Sequence, residues 1–346
     1  MGSVVTADPT TDAVLWQPGC HCAMVDKRIV IKGSEFMPLS PLHRPFGLLF
    51  LLLLARCAAP PETNCDLRKV TELPLEVQDN LLVVRVGING HWADLVVDTG
   101  AERTTIGDAA ANRLGLPHDP RYVNNSMGIG GATTTTDVTI QRLVMGGVYF
   151  QPVTRIAVGT FNLQTQHGLR ADGLLGADIL LAYEMDIDVP AHKLTLYHSR
   201  ACPNAHPPWD EPWVEIEGVR ASKDRLLVPF ELDHVHGMAT LDTGAMRNDL
   251  GVNMARRMGL NDETMAGDQR LQQHGAGPVV TVAHLHQFKL LRIGPVQQIA
   301  PQMTVLSSDF GVGDALIGEE FLLGRRVWLS FRNSPAVFVS RRADEP

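Results

Sequence analysis

The sequence predicts an all-β protein assembled from two related lobes with short helices, and three observations carry that expectation. Short apolar stretches bounded by Gly, Asn and Pro recur along the chain, the pattern of strands joined by tight turns. Gly (31) and Pro (22) together make about 15% of the 346 residues, beside 45% hydrophobic and 20% charged residues. Those are values of a turn-rich globular chain, not of a helical bundle or a disordered one. Finally, Asp98-Thr99-Gly100-Ala101 returns 144 residues later as Asp242-Thr243-Gly244-Ala245, so one unit is written twice.

From the N-terminus, residues 1–59 read as a leader. Phe46 to Ala55 is a ten-residue apolar run. Ten helical residues rise about 15 Å, half of a ~30 Å bilayer core. The run therefore has the length of a signal-peptide core, with His43 and Arg44 as its basic flank. A start at Met37 gives a signal peptide over 37–59 and makes residues 1–36 an over-extended reading frame. Two exits stay open. Leu54-Ala55-Arg56-Cys57 resembles a lipobox apart from Arg56, which makes Cys57 a lipid-anchor site, and Cys57 with Ala59 fits the small-x-small cleavage rule. The expected location is exported, periplasmic or lipid-anchored, with membrane contact only through Cys57. Setting aside Cys20, Cys22 and Cys57 leaves Cys65 and Cys202, which bracket the first unit. In an oxidising compartment that favours a disulfide over two separate thiols.

Leu81 to Ile88 reads as a strand, Asn89-Gly90 is the strongest short hairpin signal, and Ala93 to Val97 returns as a strand that delivers Asp98 at its end. Leu226 to Leu232 and Met238 to Leu241 do the same for Asp242. Short amphipathic helices are expected over 107–114 and 251–258, each closed by a glycine, Gly115 and Gly259. Residues 98–116 and 242–260 align without gaps at 10 identities in 19 positions. Further on, Asp172 to Leu180 aligns with Asp314 to Leu322, matching Leu174-Leu175-Gly176 to Leu316-Ile317-Gly318. These collinear blocks set a first lobe over 66–200 and a second over 221–340. Between them, 201–220 reads as a linker. Pro203, Pro207, Pro208 and Pro212 oppose regular structure there, and Trp209 and Trp213 pin the segment to a lobe.

An isolated carboxylate after an apolar strand is costly to desolvate, and a single Asp-Thr-Gly is ordinarily a turn. Two copies at equivalent positions change that balance. A pseudo-two-fold axis sets Asp98 and Asp242 face to face, where they share one proton. One carboxylate then takes a proton from a water while its protonated partner hydrogen-bonds a scissile carbonyl. Gly100 and Gly244 permit the tight turn, and Thr99 and Thr243 offer hydroxyls that brace the loops across the axis.

These blocks resemble the retropepsin-like aspartic peptidases, the clan of retroviral proteases and pepsins, here in a tandem two-repeat bacterial form. The resemblance covers about residues 66–340. It implies β-barrel lobes, catalysis by Asp98 and Asp242, loop contacts through Ala101 and Ala245, and ψ-shaped crossings at the two Leu-Leu-Gly and Leu-Ile-Gly blocks. It also implies a glycine-rich flap over an extended peptide. Met127-Gly128-Ile129-Gly130-Gly131 matches the flap in the first copy, and Gly275-Ala276-Gly277 matches it less well in the second. Two departures stand out. Thr104, six residues after Asp98, is replaced by Asn248 in the second copy, which still offers a hydrogen bond. Ala101 and Ala245 stand where pepsins carry a hydroxyl, so the ionised dyad is less stabilised and a mildly acidic optimum is expected.

Other chemistries fit less well. His234 with His236, and His284 with His286, alternate on strands, but no metal-binding motif accompanies them, so solvated or hairpin-tip histidines are expected, with no metal and no cofactor. The net charge of −8 and the lack of any Lys/Arg run exclude a nucleic-acid partner. The expected activity is endopeptidase cleavage of extended polypeptides by a monomer acting as a pseudo-dimer. The alternatives are a homodimer built from the first lobe and a non-catalytic peptide-binding module.

Overall fold

The computed structural model describes residues 65–150, 155–159, 171–202, 205–273, 279–331 and 335–341. The leader with Cys57, and Gly275, Ala276 and Gly277 of the expected second flap, lie outside the described residues. Everything described belongs to one compact unit that begins at Ala59. It is an all-β chain arranged in two sheets with short helices.

Each lobe starts from a hairpin whose turn chemistry is local. Strands Leu81–Ile88 and His91–Val97 pair antiparallel, and the two residues between them, Asn89 (φ 50) and Gly90 (φ 89), are both left-handed, the turn that matches strand twist. In the second lobe Leu226–Leu232 and Val235–Leu241 pair around Asp233 (φ 46) and His234 (φ 72). The turn side chain is reused in both places. Asn89 Oδ1 accepts from the Gln141 and Arg142 amides, and Asp233 Oδ1 from the Lys289 and Leu290 amides.

Helices Asp108–Arg113 and Val252–Arg257 fall within the expected ranges. Each closes on its glycine in the same way: Gly115 and Gly259 take positive φ, and their amides reach Asn112 and Arg256 carbonyls. The Leu116 and Leu260 amides reach back to Ala111 and Ala255. This paired closure satisfies carbonyls that the helix end would leave bare.

The ψ-shaped crossings follow. Gly173–Leu175 runs parallel to Leu95–Val97 and antiparallel to Thr105–Ile106. Ala315–Ile317 repeats this against Ala239–Leu241 and Asp249–Leu250. Directly after each crossing strand the chain passes so close to the Asp-loop that a Cβ on Gly176 or Gly318 would strike the backbone of Arg103 or Ala245.

One sheet spans both lobes. Glu184–Asp188 of the first lobe pairs with Arg326–Ser330 of the second, Met185 opposite Leu329, with Lys193–Arg200 and Asp66–Gln78 outside on one flank and Ala336–Ser340 on the other. Arg326 grips Asp186 with two bonds of 2.7 and 2.9 Å. The segment 201–220 departs from the expected linker. Its proline-rich part carries no helix or strand among the described residues, but Trp213–Glu217 is an edge strand on Ala336–Ser340, and Val219–Arg220 pairs with Leu226–Leu227. No proline falls between Pro212 and Pro229, and the alternation through Val214 and Ile216 suits a half-buried strand. Trp209 does pin the segment: its indole N–H donates to Asp186 Oδ2 and its ring lies under Arg326. Cys65 and Cys202 are joined by a disulfide, which closes the first lobe at both ends.

Candidate active site

Asp98 and Asp242 leave their strands at the same point and are held in the same way. The Asp98 amide donates to the Leu175 carbonyl at 3.0 Å and the Asp242 amide to Ile317 at 2.9 Å, so each ψ crossing fixes its own Asp. The side chains then turn inward. Asp98 Oδ1 accepts from the Ala101 amide at 2.8 Å, and Asp242 Oδ1 from the Gly244 amide at 2.9 Å. The loops interlock so tightly that a Cβ on Gly100 would overlap the Asp242 carboxyl, and a Cβ on Gly244 the Asp98 carboxyl. Only glycine allows the two acids to meet.

Thr99 and Thr243 brace the pair across the pseudo-axis. Thr99 Oγ1 donates to the Leu241 carbonyl at 2.8 Å and accepts from the Thr243 amide at 3.1 Å. Thr243 Oγ1 donates to Val97 at 2.7 Å and accepts from the Thr99 amide at 3.0 Å. Both threonines are fully buried. Replacing either by Ala leaves one buried carbonyl and one buried amide bare, each worth about 1–3 kcal/mol. We expect Thr99→Ala and Thr243→Ala each to lower unfolding free energy by at least about 2 kcal/mol in urea titrations, and to impair the site because the loops lose their mutual register.

The electrostatics of the pair follow from burial. Desolvation raises both carboxyls, and the neighbouring Asp242 charge lifts Asp98 further, well above the carboxylate range. Arg225 and the loop amides oppose the rise at Asp242. Two desolvated acids side by side disfavour double ionisation, which favours one proton held by the pair.

Behind the dyad the two lobes use different side chains for one task. Thr104 Oγ1 accepts from the Gly176 amide and donates to Asp178 Oδ1. In the second lobe Asn248 Oδ1 accepts from the Gly318 amide at 3.0 Å, and the Asn248 amide donates to Glu320. Asn248 thus replaces the threonine as acceptor, while its Nδ2 has no partner. Sequence reasoning did not single out Asp178 and Glu320, although the alignment of the two ψ blocks sets a carboxylate at both positions. Asp249 and Glu319 were also missed. Both are buried, and both have carboxyl oxygens without a hydrogen-bond partner.

Met127 to Gly131 forms the tip of the hairpin His118–Gly128 with Gly131–Thr139, and Gly131 is left-handed (φ 89). Gly128, Ile129 and Gly130 lie in it, and the Gly130 carbonyl accepts from the Val279 amide of the second lobe at 2.9 Å. His234 sits exposed at a hairpin tip beside Glu231, and the His286 ring bonds Asp268 at 2.6 Å. Among the described residues no cluster of three or more His, Cys, Asp or Glu side chains is arranged to hold a metal ion.

Two Asp-Thr-Gly loops, each braced by a ψ-shaped crossing, thus set Asp98 and Asp242 beside one another. Residues 84–179 match the family model for aspartyl protease, so that segment is similar to the retropepsin-like aspartyl proteases. DNA damage-inducible protein 1 of Yarrowia lipolytica is 24% identical over 127 residues, 36% of this chain and 30% of that protein. UBA domain-containing protein Mud1 of Schizosaccharomyces pombe is 30% identical over 119 residues, 34% of this chain and 33% of that protein. The similarity therefore spans about a third of each relative. The crystal structure of an aspartic proteinase from Irpex lacteus overlays with a TM-score of 0.46 at 12% identity, covering 80% of this chain and 98% of that one.

Proposed function

We propose that this chain is a single-chain aspartic endopeptidase in which Asp98 and Asp242, one from each lobe, act as one catalytic pair. The family match supports aspartic-type protease activity in general, and the single observation that carries the finer reading is the interlock of Gly100 with Asp242 and Gly244 with Asp98. A non-catalytic binding module has no use for two desolvated acids that repel one another; a proton-sharing pair requires them.

In this reading the ionised Asp242 takes a proton from a water while Asp98 gives its proton to the scissile carbonyl oxygen. Attack yields a tetrahedral diol; the proton then held by Asp242 passes to the leaving amine while a diol hydroxyl returns its proton to Asp98, which restores the pair. The substrate is an extended polypeptide under the first-lobe flap, paired with backbone as an added strand. The enzyme works as a monomer that is a pseudo-dimer, needs no cofactor, and is exported through its leader, free or anchored by lipid at Cys57.

The test is cleavage of a mixed peptide library. Endoproteolytic products that vanish on adding a statine-type transition-state mimic are expected, because such a mimic presents its hydroxyl where the pair binds the diol. Intact peptides at every pH from 3 to 7 would overturn the reading.

A further inference from the structure

A cavity of about 720 Å³ lies where the two lobes meet, away from the Asp loops. Leu181 and the end of strand Lys193–Arg200 line it from the first lobe, and Arg220 from the second. Its ionisable lining is His198, Arg200 and Arg220, with no acid among them, in a chain whose net charge is −8. The acids nearby are already engaged. Asp66 stands opposite Arg200 in the ladder but is gripped by Arg68 at 2.7 Å. Glu184 is on the other face of the sheet, where the Ser199 hydroxyl donates to it at 2.6 Å. Asp224 accepts from Arg220 through Oδ1 alone; a guanidinium has five donors, so others are left for a ligand. The rim of the cavity is fixed. Ala201 takes a left-handed backbone (φ 54) that residues with a Cβ rarely adopt, and Cys202 beside it is bonded to Cys65. A costly backbone conformation clamped by a covalent bond at the edge of a cavity is the mark of a built site.

We propose that this cavity binds a molecule bearing a phosphate group, at a second site independent of the Asp pair and of the endopeptidase reading. Small-molecule sites measure about 300–1,000 Å³, so the cavity has room for more than a lone ion. A phosphate monoester carries about −1.5 to −2 charges at pH 7. Arg200 and Arg220 match that charge, and arginine forks meet its oxygens in parallel pairs of bonds. Leu181, half-buried, gives an apolar surface to the group that carries the phosphate. Because Arg200 belongs to the first lobe and Arg220 to the second, an occupied cavity ties the lobes together. A soluble monoester and a lipid headgroup offer the same chemistry, and the experiment separates them.

Phenyl phosphate is the probe, titrated calorimetrically into the full chain at pH 7 and constant ionic strength. A dissociation constant below about 1 mM is expected, with no binding of benzyl alcohol, which has the ring without the charge. The melting temperature should climb with probe concentration. Arg200→Gln and Arg220→Gln should each weaken binding at least about tenfold. Should Arg220→Gln fail to fold, Arg200→Gln supplies the comparison. Phenyl phosphate that fails to bind, binds no better than benzyl alcohol, or binds the Arg variants as tightly as the parent overturns the proposal. So does binding that weakens as much in Asp224→Asn as in Arg220→Gln, since Arg220 would then be a strut and not a ligand group. Sedimentation with phosphatidylcholine vesicles, with and without phosphatidic acid, identifies the source. A phosphatidic acid-dependent bound fraction that is lost in Arg200→Gln assigns a headgroup, and its absence assigns a soluble ligand; either result sustains the site.

Discussion

Asp242→Asn is expected to abolish peptide hydrolysis, with a fall of roughly 10²–10⁴-fold for loss of a positioned acid–base group, and Asp98→Asn to do the same. The two residues are one device. Asp98 is raised well above the carboxylate range because Asp242 lies beside it in a desolvated site, so neither keeps its protonation state alone. Equal losses in both variants are therefore the signature of a pair within one chain. A homodimer built from the first lobe predicts something else: full activity in Asp242→Asn, none in Asp98→Asn, and a rate that rises with the square of protein concentration. Stability should move the opposite way to activity. Replacing one acid by Asn removes a desolvated carboxyl from a buried site, so the melting temperature is expected to hold or rise. The pH–rate profile gives a second reading of the same pair. Burial and coupling place its working range at mildly acidic pH, and a rate still climbing below pH 3 would contradict that.

How much of this was legible in the residues depends on whether the information is local or relational. Asn89-Gly90 predicts its hairpin because a left-handed turn needs those residue types, and Gly115 and Gly259 close their helices for the same reason. The dyad was legible through repetition: two identical tetrapeptides imply an axis, and an axis implies that the acids meet. The strand Trp213–Glu217 was hidden behind four prolines whose influence ends at Pro212, because an edge strand is fixed by its partner, Ala336–Ser340, over a hundred residues away. Asp249 and Glu319 were illegible for a different reason. A single carboxyl in a sequence carries no mark of burial, and only packing against the Asp242 loop makes it matter.

Those two missed acids lead to the second large effect, a loss of stability as pH rises from about 4 to 8. Asp249 is buried, and desolvation pushes its carboxyl up to about 8, the Asp242 and Glu320 charges adding to the rise while a Thr304 hydrogen bond and the Arg247 charge oppose it. Desolvation, with the nearby Asp242 charge, lifts Glu319 well above the ordinary range. Below the unfolded value near 4, both groups are protonated folded or unfolded, and no penalty arises. Between about 4 and 8 the unfolded chain releases protons that the folded chain keeps, so unfolding is increasingly favoured as pH rises, by up to about 1.4 kcal/mol per pH unit for each such group. Carboxylates depressed by an exposed Arg, such as Asp119 at about 2, act below pH 4 and leave this window untouched. Urea titrations at pH 5, 6, 7 and 8 should therefore give a falling unfolding free energy. Asp249→Asn should flatten that slope by nearly one proton and Glu319→Gln by a comparable amount, with each variant more stable than the parent at pH 8. An unfolding free energy that is flat or rises from pH 5 to pH 8 would mean that both carboxyls ionise freely in the folded protein. The unpartnered oxygens beside Asp242 would then have found solvent, and the second lobe would be wetter behind its Asp loop than its packing implies.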